Sequence, residues 1–156
     1  FEPLIEVDMT FTNQLQTRFE IRKSRQLSLS LIDYQLAENR STEVTFGLNW
    51  RKKGMPLIKN IRIGKNGMKL DNDVTLRVDF SLRDDATANS KLDQGTAFGT
   101  GGQRVIRFAP SIDYVLNNKV SMKLYFEQNR NIPKISSAFP ITNTRAGLQV
   151  RVSLAQ

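Results

Sequence analysis

The segment "DVTLRVDFSLRDD", residues 73–85, alternates almost without error. Val74, Leu76, Val78, Phe80 and Leu82 fall on one side of an extended chain; Asp73, Thr75, Arg77, Asp79, Ser81 and Arg83 fall on the other. A period of two belongs to the β-strand, whose successive side chains point to opposite faces. The segment therefore specifies a strand with one aliphatic and one charged face, and the fold must give each face its own environment.

The alternation recurs along the chain. In "PLIEVDMTFTN", Ile5, Val7, Met9 and Phe11 oppose Glu6, Asp8, Thr10 and Thr12. In "TEVTFGLNW", Val44, Phe46, Leu48 and Trp50 share a face. In "RVIRFAPSIDYVL", Ile106, Phe108, Pro110, Ile112, Tyr114 and Leu116 oppose Arg107 and Asp113 among others. "KVSMKLYFE" places Val120, Met122, Leu124 and Phe126 opposite Lys123, and "RAGLQVRVSLAQ" places Ala146, Leu148, Val150, Val152 and Leu154 opposite Arg151. β-branched and aromatic residues enrich the apolar faces, as strands prefer, and no segment shows the helical period. Residues 15–34 read as one long strand, with Lys23 and Arg25 interrupting its apolar face at an interface or a bulge; a turn at "KSRQ" is the rival, with weak turn chemistry. "NQ" (Asn13, Gln14) and "NN" (Asn117, Asn118) read as tight hairpin turns, because Asn tolerates positive φ. Residues 36–41, 85–102 and 130–143 read as longer connections, and residues 53–72 as one with a short strand at 57–63.

The 156 residues include no Cys and no His. That removes disulfides, thiolate chemistry, the usual general base and the commonest metal ligand. The net charge of +8 points to an acidic partner, whether nucleic acid, anionic lipid or protein, with a solvated basic surface as the plain alternative. No apolar run approaches the length of a membrane helix. The opening "FEPLIEVDMT" has no start Met and no leader pattern, so the chain reads as a mature or internal piece.

A strand with one apolar face has two homes. In a soluble sandwich that face meets a second sheet. In an outer-membrane barrel it meets lipid and the polar face lines the lumen. Expected strands of roughly 10 to 14 residues, alternating tight and long connections, and polar faces carrying both signs of charge all favour the barrel. The expected count of about seven or eight strands then matters, because an open meander leaves edges that lipid does not tolerate.

The stretches "PLIEVDMTFTNQLQTRFEIRKSRQLSLSLIDYQLAE", "KLDNDVTLRVDFSLRDD", "GQRVIRFAPSIDYVLNNKVSMKLYFEQNRNIP" and "SSAFPITNTRAGLQVRVSLAQ" together resemble the C-terminal end of the SprA/Sov family. Members are outer-membrane translocons of the type IX secretion system of Bacteroidetes, and several support gliding motility. The resemblance implies an all-β fold: an antiparallel meander of seven or eight long strands forming part of a very large transmembrane β-barrel. Residues 1–156 would be its last arc, ending at the seam, with no separate soluble domain. The chain departs from the usual aromatic finish of such barrels, ending Leu154, Ala155, Gln156.

The resemblance implies a structural wall that passes folded cargo to the cell surface from the bacterial outer membrane. Implied partners are the rest of the barrel, a PorV-like shuttle barrel, a plug protein, a peptidyl-prolyl isomerase-like subunit, secreted cargo and outer-membrane lipid, with no nucleic acid. Arg77, Asp79, Arg107, Asp113, Lys123 and Arg151 are the expected lumen-facing residues. Val74, Leu76, Val78, Phe80, Leu82, Leu148, Val150 and Val152 are the expected lipid-facing ones. No catalytic, metal or cofactor site is expected. Glu6, Asp8, Asp79 and Asp113 lie on different strands, and "GTAFGTGG" lacks the Lys-Ser/Thr of a phosphate loop and reads as a flexible loop. A complete small outer-membrane barrel and a soluble basic β-sheet binding domain stand as alternatives.

Overall fold

A computed structural model describes residues 3–32, 34–55, 73–92, 95–117, 119–135 and 137–153. Its strands are β1 (Ile5–Thr10), β2 (Leu15–Ser30), β3 (Gln35–Lys52), β4 (Asp73–Lys91), β5 (Thr96–Asn117), β6 (Val120–Pro133) and β7 (Ile141–Val152). Each pairs antiparallel with its neighbours in sequence, giving one seven-stranded meander in the order β1 to β7. The sheet does not close on itself: β1 and β7 are its two edges. The expected strand at 57–63 and the chain end at Leu154, Ala155 and Gln156 lie outside the described residues.

The strands are longer than their hydrophobic pattern. β5 alone has 22 residues. The expected connection at 36–41 lies inside β3, and that at 85–102 is mostly the ends of β4 and β5. Residues 130–133 belong to β6 and 141–143 to β7. Polar, Gly- and Ser-rich composition made these stretches look like loops, but each has a neighbouring backbone to pair with, and that ladder overrides composition. "GTAFGTGG" accordingly forms part of β5. Its register against β4 passes from Thr87↔Gly101 to Ala88↔Gly99, leaving residue 100 as the extra residue of a β-bulge. Next to it, Gly102 has φ +149°, and a Cβ there would lie 2.4 Å from the Asp85 carbonyl oxygen.

Between β2 and β3, Tyr34 has φ 48°. No turn forms at "KSRQ", and no bulge accommodates Lys23 and Arg25: β2 pairs with β3 without interruption from Leu15↔Trp50 to Ser30↔Gln35. In the β1–β2 turn the positive φ belongs to Gln14 (63°) instead of Asn13. Asn13 instead accepts the Leu15 amide through its side chain (3.3 Å).

The sheet is a single layer with almost no interior. Among the described residues, only Val74, Tyr114 and Leu116 are buried apolar side chains, each 5% exposed. Met55, Val120 and Met122 pack against them. Val74 therefore departs from its expected lipid-facing role: it sits in the one small cluster where chain beyond β3 reaches the sheet.

On the polar face, Tyr125 lies directly across from Gly147. A Cβ on residue 147 would come within 2.6 Å of the Tyr125 hydroxyl and 2.8 Å of Cζ. The ring covers the glycine, and this close approach is what the Cβ-less residue permits. Gly147→Val should therefore destabilise the sheet by about 1–3 kcal/mol through overpacking. Adding Tyr125→Ala should recover most of that loss in denaturant unfolding; no recovery would mean the ring is not what requires glycine.

Candidate functional site

The register converts the alternation into two continuous surfaces. On one, cross-strand rows are apolar. Val7, Phe19, Phe46, Phe80 and Phe108 form a row over β1 to β5. Trp50, Leu76, Ile112, Leu124 and Leu148 form another over β3 to β7. Such directly opposed pairs are the unit of sheet stabilisation. Phe126 adds an edge-to-face contact with Phe108 at a centroid distance of 6.5 Å. This face is uncovered: Leu148 is 65% exposed and Val152 59%, with Val150, Phe80, Phe46 and Leu124 also exposed. Leu76, Val78 and Leu82 are half-buried by their neighbours in the same face.

The apolar band is not square to the strands. In β3 it extends from Val44 to Trp50, so Trp50 is its last position before Lys52. In β7, Leu148 shares the Trp50 row, yet Val150 and Val152 continue the band beyond it, and on the other side it stops at Ala146, before Thr144. At the Val44 end the edge keeps one row through Leu82 and Ile106, then falls four residues short of that row in β6 and β7, at Phe126 and Ala146. In β4 the uncovered part of the band, from Leu76 to Leu82, covers about 20 Å of strand.

The opposite face is mostly polar, with Val105, Ala109 and Val115 among its apolar positions, and is laced with arginine–carboxylate pairs. Arg18 donates to both carboxylate oxygens of Asp8, at 2.8 and 3.2 Å, and approaches Glu6 at 3.8 Å. Arg22 does the same to Glu20, at 2.6 and 3.0 Å. Arg51 meets Asp73 at 3.1 Å, Arg83 meets Asp85 at 3.1 Å, and Arg107 meets Glu127 at 3.0 Å. The Ser41 hydroxyl donates to Asp85 (2.7 Å), and Asn131 donates to Gln103 (2.9 Å).

The structure puts all six expected lumen residues on this face, around several overlapping hollows. Arg77, Asp113, Lys123 and Arg151 line one hollow with Thr75 and Gln149. Asp79 joins Arg77, Asp8 and Arg18 around a second, and Arg107 joins Glu20 and Glu43 at a third. Asp113 stands directly opposite Lys123. Asp79 pairs with Ala109 in register, four positions from Asp113, and among the described residues no set of three acidic groups is placed to hold a metal. The arrangement offers a hydrated surface of both signs.

Two further charge clusters were hidden in the sequence, since they depend on register. Both lie on the apolar face, just past the band. The row Ile21, Val44, Leu82, Ile106 is its last in these strands; the next is Lys23, Thr42, Asp84, Arg104. There Asp84 accepts from Arg104 (3.0 Å) and from Lys134. One row further, Arg25 stands opposite Arg40, and both donate to Glu38, Arg40 at 2.6 and 2.9 Å. The Arg40 hydrogen bond, opposed by partial desolvation and aided by Arg25, holds the Glu38 carboxyl below the usual range. Lys134, with Arg104 in support, does the same to Asp84. The interruption at Lys23 and Arg25 was the only sequence signal.

Comparison with protein-family models and with curated proteins found no match. Exposed ion pairs contribute about 0–1 kcal/mol, since solvent screens them. Arg107→Gln should accordingly change unfolding stability by less than about 1 kcal/mol. A larger loss would mean that the Arg107–Glu127 pair is shielded from water.

Proposed function

We propose that this chain is an arc of the wall of an outer-membrane β-barrel, with the apolar band facing lipid and the arginine–carboxylate face lining a water-filled lumen. The observation that carries this reading is the uncovered band itself. Its uncovered part runs about 20 Å along β4, of the order of the roughly 25 Å apolar band of transmembrane barrels. A soluble sheet would cover such a face with a second layer. The two open edges carry the next step. Within hydrocarbon an unpaired edge costs several kcal/mol per unsatisfied group, so β1 and β7 need strands from outside this sheet.

The resemblance to the SprA/Sov family gives the reading its biological form. The arc would belong to the protein-conducting channel of the type IX secretion system, passing folded cargo to the surface of a bacterium. Its contacts would be the rest of the barrel, the shuttle-barrel, plug and isomerase-like partners of that system, lipid, and cargo in transit. Arg77, Asp79, Arg107, Asp113, Lys123 and Arg151 would form part of a mixed-charge lining that keeps water at the wall and gives cargo no single sticky patch. This role is structural and needs no catalytic group.

Substitution separates the two faces. Val78→Arg should cost about 2–4 kcal/mol of folding free energy in bilayers, whereas Arg77→Lys, one residue away, should be nearly neutral. Equal tolerance at both positions would remove the lipid from Val78. In cells, the native polypeptide should fractionate with outer membranes. Deleting residues 141–152 should abolish its insertion, because β6 would then lose its ladder partner. Recovery of the intact protein in a soluble fraction without detergent would overturn the proposal.

A further inference from the structure

We infer that the charged rim above the apolar band binds the phosphate groups of anionic lipids; this rests on the wall reading above. Six cations, Lys23, Arg25, Arg40, Arg104, Arg130 and Lys134, project there on the lipid side, against two carboxylates, Glu38 and Asp84, a local excess of four positive charges. Arg130 lies opposite Ile106, in the last apolar row of β5.

The rim is built differently from the lumen face. There, Arg18, Arg22, Arg51, Arg83 and Arg107 each meet a carboxylate of their own. Here, two cations share one: Arg25 and Arg40 share Glu38, and Arg104 and Lys134 share Asp84. The carboxylates are the less exposed members, Glu38 at 16% against 60% for Arg25 and 62% for Arg40. They sit at the base and orient the guanidinium groups, whose outer N–H donors stay free for a second acceptor. Both carboxyls are held ionised at ordinary pH by those same hydrogen bonds, so the charge excess persists.

Like charges directly opposed across a ladder are destabilising, and Arg25↔Arg40 is such a pair. One carboxylate neutralises only one of the two. Lys23, between the two clusters, makes no ion pair among the described residues. The missing counter-charge must come from outside the sheet. Whatever supplies it lies immediately beside an apolar surface, which describes an amphiphile: acyl chains on the Phe19–Phe108 rows, an anionic head on the rim. Arginine's planar fork favours phosphate oxygens, and juxtamembrane cations attract anionic headgroups.

The test is lipid selectivity at the protein surface. The full polypeptide is reconstituted in phosphatidylcholine vesicles carrying a trace of spin-labelled phosphatidic acid or spin-labelled phosphatidylcholine. Electron spin resonance then reads the motionally restricted lipid. At low ionic strength phosphatidic acid should be enriched about fivefold over phosphatidylcholine, the equivalent of one well-placed cation, and the enrichment should fall in molar salt. Lys23→Gln, which breaks no ion pair, should reduce it in part, and Lys23→Gln/Arg25→Gln/Arg104→Gln should abolish it. Equal association of the two labels with the unaltered protein overturns this inference alone. So does enrichment that survives the triple substitution, or that millimolar inorganic phosphate displaces at constant ionic strength. Absence of any restricted component, with either label, overturns the wall reading and this inference with it.

Discussion

An apolar face that the described chain leaves uncovered is the constraint on which the rest of the structure depends. Seven strands satisfy one another's backbones from β1 to β7, and pairing alone accounts for the regularity of the sheet. It does not account for where the aliphatic side chains go. With three apolar residues buried among those described, there is no core in the ordinary sense. In the proposed reading the phase that covers that face is hydrocarbon, which accounts for the charges that border the band and for the larger set of arginine–carboxylate pairs on the other side.

The outline of the band follows register and not the strand ends. Val44, Leu82 and Ile106 end it in one row, whereas in β6 and β7 it stops four residues short of that row, at Phe126 and Ala146. Beyond the band the strands continue. β4 runs nine residues past Leu82 and β5 starts ten residues before Ile106. These extensions are mostly polar, with Phe98 an exposed exception, and they continue past the Glu38 and Asp84 clusters.

Much of this was legible in the sequence, and the failures have one cause. Faces were readable because a period of two is a property of single strands: Val78 and Arg77 declare their sides without knowledge of their neighbours. Strand ends and charge pairings were not readable, because both depend on register. Residues 85–91 look like a loop by composition, and become strand because residues 35–41 lie alongside them. Arg25 looks like a defect in an apolar face and Arg40 like part of a connection, until register places both beside Glu38. Gly147 carries no signal of its own; its need becomes visible only with Tyr125 opposite. Val74 was assigned by period to the lipid face, and the approach of Met55 buries it instead.

The most direct test uses the fact that this chain has no cysteine. Single cysteines placed at each position from 74 to 83, in the protein reconstituted in bilayers, are challenged with a water-soluble maleimide and, separately, a lipid-dissolved quencher of an attached fluorophore. The account predicts strict alternation. Positions 75, 77, 79, 81 and 83 should label from water, and positions 76, 78, 80 and 82 should be protected from it and quenched from lipid. Position 74, buried beside Tyr114 and Leu116, should resist both. Labelling of 76, 78, 80 and 82 from water, or quenching without alternation, would contradict the claim that one face of this sheet meets lipid and the other meets water.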